Sequence, residues 1–206
     1  MGLKMTRKRA LVVIDAQRDF CPGGVLPVKD GDEIIGPANR LIALFEKEKS
    51  PIFFTRDWHP ADHRSFKSRG GLWPSHCIKN TEGAKFHPSL NVPAGAVIIS
   101  KAIRRDSEAY SGFQGTKLAE RLRSLEVKDL YVLGLATDYC VKDTVLDGLA
   151  EGFRVFLVSD GVRGVNLSPT DSSNAIKTMI SKGARSVTSD AIIRERLRRV
   201  AVSSSS

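Results

Sequence analysis

The chain reads as an α/β protein of three layers (α/β/α), a six-stranded, mostly parallel sheet with helices on both faces. Three observations predict this. Apolar, β-rich runs alternate with helix-period patterns along the chain. Runs such as Leu130-Tyr131-Val132-Leu133 have the β-branched and aromatic content of short buried strands. Polar, chemically useful residues gather where these runs end, and in an open parallel sheet ligands bind outside the carboxyl ends of the strands.

In chain order the strands fall at 10–14, 52–55, 96–100, 130–135, 154–158 and, with a weaker pattern, 185–188. Helical periodicity fits 32–49, 116–125, 140–151, 171–182 and 191–200, the first with Ile35, Ala38, Ile42 and Phe45 along one stripe. In the third, Val141, Val145 and Leu149 share a face, Lys142, Asp143 and Asp147 take others, and Gly152 is a stop signal. Residues 60–93 form the longest irregular stretch and carry His63, Trp73, Pro74, His76 and Cys77; so long a loop in a compact domain is usually functional. No internal repeat is visible. The expected organisation is one domain over 1–206, with a core of about 10–190, a basic N-terminal extension and a serine tail.

Composition excludes several classes. No run of roughly 18 apolar residues exists to span a bilayer, and no apolar signal core separates MGLKMTRKR from the first strand. Three cysteines without a CxxC pair argue against a disulfide framework or a thiolate zinc cluster, so a reducing compartment, the cytoplasm, is expected. The net charge of +9 invites nucleic acid as a partner, but the excess is partly concentrated at the ends. Arg194, Arg196, Arg198 and Arg199 interleave with Ile193, Leu197 and Val200 as on a solvated helix face, and no zinc-finger or RNA-binding aromatic signature accompanies them. Neither a nucleic-acid nor a membrane partner is expected; self-association stays open.

The strand ends deliver Asp15 after the first strand, Arg56-Asp57-Trp58-His59 after the second, Lys101 after the third and Thr137-Asp138-Tyr139-Cys140 after the fourth. Cys140 lies at a strand-to-helix corner, where a helix N-terminus favours thiolate over thiol, although a small buried core cysteine fits the same pattern. Asp15 could take its proton and Lys101 stabilise the anion; without the cysteine, the two would read as an ordinary ion pair. Asp57 and His59 sit two apart on extended chain, so their side chains point the same way and can share a cation, with His76, 17 residues beyond His59, closing the set. Two imidazoles and a carboxylate suit zinc foremost, with iron(II) or manganese also compatible. His63 is a candidate fourth ligand or a supporting residue behind the ligands. Competing motifs are poor: DAQRDF stands where a GxGxxG turn would follow the first strand, the glycines of 112–117 are misspaced for a phosphate loop, and the HxE with PCxxC of zinc deaminases is missing.

Taken in order, DAQRDFCPGG (15–24), TRDWHPADH (55–63), WPSHC (73–77), ISK (99–101), AYSGF (109–113) and GLATDYCV (134–141) resemble the nicotinamidases (pyrazinamidases) of the isochorismatase-like cysteine hydrolases, over nearly the whole chain. The resemblance implies an isochorismatase-like, Rossmann-like topology, a catalytic triad of Asp15, Lys101 and Cys140, and metal ligands Asp57, His59 and His76. It implies a cis peptide between Leu135 and Ala136 that aims the Ala136 and Cys140 N–H groups at one point as an oxyanion hole. It also implies Phe20, Trp73, Tyr110 and Leu135 around the substrate, although packing alone would explain the aromatic residues. The implied activity is deamidation of nicotinamide, and of pyrazinamide, through a thioester in NAD salvage. Ala102 departs from the glycine many relatives carry there, and the basic N-terminal extension has no functional account. Alternatives are a carbamoyl or ureido amidohydrolase, which generally lacks the metal trio, an isochorismatase, which does not use a cysteine nucleophile, and a non-catalytic metal- or ligand-binding module.

Overall fold

A computed structural model describes residues 8–203, with side chains through Arg198. Lys4, Arg7, the side chains of Arg199 and Val200, and serines 204–206 lie outside the described residues. The described strands are β1 (Arg9–Ile14), β2 (Ile52–Asp57), β3 (Val97–Lys101), β4 (Asp129–Leu135), β5 (Arg154–Arg163) and β6 (Arg185–Val187). They form one six-stranded sheet in the order β3-β2-β1-β4-β5-β6, with every pairing parallel. The helices among the described residues are α1 (Ile35–Lys47), α2 (Leu118–Ser124), α3 (Lys142–Ala150), α4 (Asp171–Ser181) and α5 (Ser189–Ser203). None is long and apolar enough to cross a membrane.

β1 is apolar from Ala10 to Ile14 because it is covered on both faces there. Leu11 and Val13 pack with Leu41, Ile42 and Phe45 of α1 and Ile192 of α5. Ala10, Val12 and Ile14 pack with Leu118 and Leu122 of α2, Val145 of α3 and Met179 of α4. Each large side chain so buried contributes roughly 1.5–3 kcal/mol. Register then places the chemistry. The order reverses between β1 and β4, the switch point where a parallel sheet leaves a crevice at its carboxyl edge. Asp57 and Lys101 are direct partners across β2 and β3, and Ile14, which precedes Asp15, pairs with Gly134 near the end of β4.

Three local features differ from the sequence pattern. β5 continues to Arg163, past a bulge between the Val132–Leu157 and Gly134–Val162 pairs. Ser159-Asp160-Gly161 has the composition of a turn, but Asp160 accepts the backbone N–H (2.8 Å) and hydroxyl (2.5 Å) of Ser189 and so caps the start of α5. α5 buries Ile192 and packs Ile193 partly against the same core, but the expected stripe stops there: Leu197 is 63% exposed, and Arg196 turns back to pair with Glu48, which also takes Arg9. Finally, Thr137–Val141 form a π-helical turn ahead of α3, so the helix proper begins after Cys140.

Gly134 shows how tightly the switch point is built. Its φ is +127°, and a Cβ there would lie 2.0 Å from the Ile14 carbonyl oxygen, a backbone atom that cannot move aside. Gly134→Ala is expected to lower stability by about 3 kcal/mol or more. Urea unfolding measures it, and a wild-type midpoint would contradict the packing described.

Candidate active site

The carboxyl ends of β1, β2, β3 and β4 converge. Lys101, 1% exposed, ends β3 and reaches inward between two buried carboxylates. Its Nζ lies 2.9 Å from Asp15 Oδ2, in close contact with Asp57 Oδ1, and 3.4 Å from Cys140 Sγ; it also donates to the Ala109 carbonyl at 3.3 Å. A carboxylate oxygen of Asp15, one of Asp57 and the Cys140 sulfur all lie within 4.8 Å of one another. The backbone bends sharply to achieve this: Asp15 (φ 43°) and Ala102 (φ 51°) both occupy the left-handed region. For Ala102 this gives the physical sense of the departure noted above, since glycine adopts that conformation at less cost.

Burial and partners set the protonation states. Burial raises Asp15 to about 6, against the opposing pull of Lys101, while the Thr55 hydroxyl donates to Asp15 Oδ1 at 2.7 Å. Burial alone would lower Lys101, but the Asp15 and Asp57 charges outweigh it and raise it well above the ordinary lysine value, keeping it an ammonium. Cys140 is pushed well above the ordinary thiol value, mainly by burial and further by the two carboxylates, against the pull of Lys101. Burial and the carboxylates thus oppose the pull toward thiolate that a helix N-terminus would exert. The sulfur sits within the π-helical turn, beside the carboxylates of Asp15 and Asp57.

Beside Lys101, oxygen of Asp57 and ring nitrogens of His59 and His76 come within 4.8 Å of one another, so these three could hold a metal ion. Nδ1 of His59 faces the His76 carbonyl at 3.0 Å and Nδ1 of His76 faces the Pro74 carbonyl at 2.8 Å. A ring nitrogen facing a carbonyl must be the N–H donor, which leaves each Nε2 lone pair free for a cation. Burial, partly opposed by Asp57, lowers His59 to about 4, so its ring is neutral at pH 7 as a ligand must be. The donor set thus fits a divalent ion. The His63 ring lies 4.4 Å from that of His59, tilted by 39°, and its own nitrogens are engaged: Nε2 faces the Ser107 carbonyl at 3.1 Å and Nδ1 the Ser65 hydroxyl at 2.7 Å. It is not part of the Asp57 set, but with His59 and Glu108 it forms a second group whose ligand atoms lie within 4.8 Å of one another.

Of the remaining expected residues, Phe20 lies 5.4 Å from the His76 ring, and Trp73 donates its indole N–H to the Tyr110 hydroxyl at 2.9 Å. Trp73 and Tyr110 wall a cleft of about 660 Å³ that also touches Ser65, Glu108 and two arginines, Arg64 and Arg69. The triad does not line this cleft, in keeping with its burial. Tyr139, which sequence reasoning left unassigned, packs edge-on to Trp73 at 5.1 Å and 5.4 Å from Tyr110. The peptide between Leu135 and Ala136 is cis, and the Ala136 carbonyl accepts the N–H of Tyr139 and Val141. Leu135 itself is fully buried near Gly31, in the same apolar cluster as Phe20 and Ala136. Thr55 and Gln17 also reach into the site. Neither stands out in the sequence, because each acts on a residue 40 positions away.

Comparison with known proteins agrees with this geometry. The isochorismatase domain family matches residues 9–191. The chain is 42% identical over 197 residues to the nicotinamidase of Escherichia coli K12, covering 85% of this chain and 92% of that protein. A crystal structure of the pyrazinamidase of Pyrococcus horikoshii in complex with zinc superposes with a TM-score of 0.85 at 50% identity, covering 88% of this chain and 99% of that one. A structure of PnC1 from L. infantum in complex with nicotinate gives a TM-score of 0.83 at 31% identity, over 89% and 94% of the two chains.

Lys101→Met keeps the length of the side chain but leaves Asp15 and Asp57 facing each other without a cation. The expected loss of stability is about 3–5 kcal/mol at neutral pH. Chemical denaturation checks it; an unchanged midpoint would mean the buried ammonium is not holding the two carboxylates together.

Proposed function

We propose, from the premise that this chain belongs to the isochorismatase domain family, that it is a metal-dependent cysteine amidohydrolase converting nicotinamide to nicotinate and ammonia, and acting on pyrazinamide as well. The observation that carries this is the single ammonium of Lys101, 2.9 Å from Asp15 and 3.4 Å from Cys140, next to an Asp-His-His set. Support also comes from the nicotinamidase and pyrazinamidase relatives.

In the proposed mechanism Asp15, raised to about 6, accepts the proton of the neutral Cys140 thiol as the sulfur attacks the carboxamide carbon. Lys101 stabilises the negative charge on whichever of the two groups carries it. The carbonyl oxygen, now an oxyanion, is held by the N–H groups of Ala136 and Cys140. Asp15 returns its proton to the departing nitrogen, ammonia leaves, and a thioester to Cys140 remains. A water molecule then gives a proton to Asp15 and attacks the thioester carbon; the sulfur leaves and is reprotonated, and nicotinate is released. Phe20, Trp73 and Tyr110 flank the flat ring of the substrate. Asp57, His59 and His76 would hold the metal, zinc by the nature of the donor set and the zinc complex of the P. horikoshii relative. When bound, that ion supplies a Lewis-acidic point for the pyridine nitrogen, orienting the ring and polarising it. The product is a pyridine carboxylate, placing the reaction in NAD salvage. An intact metal trio disfavours the carbamoyl or ureido alternative, and the triad disfavours a binding module.

Cys140→Ala is expected to reduce ammonia release from nicotinamide by more than a thousandfold, while metal content measured by elemental analysis stays at the wild-type level. Wild-type turnover in that variant would remove the nucleophile. A chelator is expected to suppress wild-type activity, and a zinc salt to restore it; chelator-resistant turnover would remove the metal from the reaction.

A further inference from the structure

Two side chains on the turn that follows β1 grip the metal trio from behind without belonging to it. Gln17, fully buried, meets the main chain of Asp57 as a strand would: its Oε1 accepts the Asp57 N–H at 2.8 Å, and its Nε2 donates to the Asp57 carbonyl at 2.8 Å and to the Ala84 carbonyl at 2.9 Å. Three hydrogen bonds leave this amide one assignment, because only the nitrogen can donate to two carbonyls. β2 pairs with β3 as far as Asp57, but its register with β1 ends at Phe54, followed by one bond from the Asp15 N–H to the Thr55 carbonyl at 3.2 Å; Gln17 holds Asp57 on that side, beyond the paired residues. Asp19 does the same for the other half of the trio. Its Oδ2 accepts the N–H of Cys77 at 2.7 Å, and Cys77 directly follows His76. The Cys77 carbonyl in turn accepts the His59 N–H at 3.0 Å, and Cys77 holds a φ of 45°. The carboxylate of Asp19 occupies the space a side chain would take at Gly83, where a Cβ would lie 2.2 Å from its oxygens.

The ring nitrogens of His59 and His76 are aimed by backbone carbonyls, so the aim is only as firm as the backbone, and the backbone at Asp57, His59 and His76 is tied to Gln17 and Asp19. We infer that Gln17 and Asp19 are positioning residues for the metal: the turn at 17–19 holds the Asp57 and His59–His76 segments at ligand spacing before any ion binds, and so sets metal affinity. This rests on the metal assignment proposed above.

The test is titration of chelator-stripped protein with zinc and with cobalt(II), whose visible absorption reports ligand geometry, together with the melting temperature of each metal-free variant. Gln17→Met preserves bulk without the hydrogen bonds; Asp19→Leu removes the acceptor, whereas Asp19→Asn retains an oxygen for the Cys77 N–H. All measurements are made well below the metal-free melting temperature, and if Gln17→Met does not fold, the two Asp19 variants decide. Expected is a weakening of metal affinity of about 10–100-fold for Gln17→Met and Asp19→Leu with an altered cobalt spectrum, and recovery toward the wild-type value in Asp19→Asn. Wild-type affinity and spectrum in variants that have only lost melting temperature would overturn the inference and leave these residues as structural supports. Asp57→Ala separates the two levels: if it binds metal as tightly as wild type, the metal assignment itself fails, whereas if it loses metal while Asp19→Leu does not, only the positioning role fails.

Discussion

One buried ammonium organises this molecule. Lys101 is almost wholly removed from water, and taking such a charge out of solvent costs several kcal/mol unless it is compensated. Compensation comes from Asp15 and Asp57, which would otherwise repel each other in the same dry volume. The three charges stabilise one another only as a set, and the set requires three strand ends to meet. Parallel pairing of β3, β2 and β1 supplies that meeting, with Asp57 and Lys101 as direct register partners. The same cluster divides the site's labour. Asp15 is lifted to about 6 by burial and suits proton transfer, whereas Asp57, although burial pushes it up, is brought net below the usual carboxylate value by Lys101, His59 and His76 and suits a cation.

The sulfur is the counterpart of this arrangement. Cys140 sits on the far side of the switch point, after β4, where Gly134 lets the chain pass against Ile14 and the π-helical turn carries the thiol to within 3.4 Å of Lys101. Burial first, and then the two carboxylates, push the Cys140 thiol well above its ordinary value. The nearby Lys101 ammonium opposes that push.

Much of this was legible in the sequence because strand ends are local. ALVVI, IFFTRD, VIISK and the run from Leu130 each show where the apolar pattern stops, and the residue at the stop is a functional candidate. The metal trio was legible for a similar reason: Asp57 and His59 are two apart, and His76 lies in the one long irregular segment. What was hidden depends on contacts between distant segments. Gln17, Thr55 and Asp19 are ordinary residues until the fold brings them to Asp57, Asp15 and Cys77. The extension of β5 was hidden because Ser159-Asp160-Gly161 looks like a turn, and only the cap it gives Ser189 explains why strand continues through it.

The account stands or falls on Cys140 being covalently acylated with the help of the Lys101–Asp15 pair. Rapid acid quenching of enzyme during turnover of nicotinamide, followed by peptide mass spectrometry, measures this directly. The account predicts a nicotinoyl group on the peptide that contains Cys140. A wild-type enzyme that releases ammonia at full rate while that peptide stays unmodified at every quench time, or that carries the acyl group on Cys21 or Cys77, would contradict it.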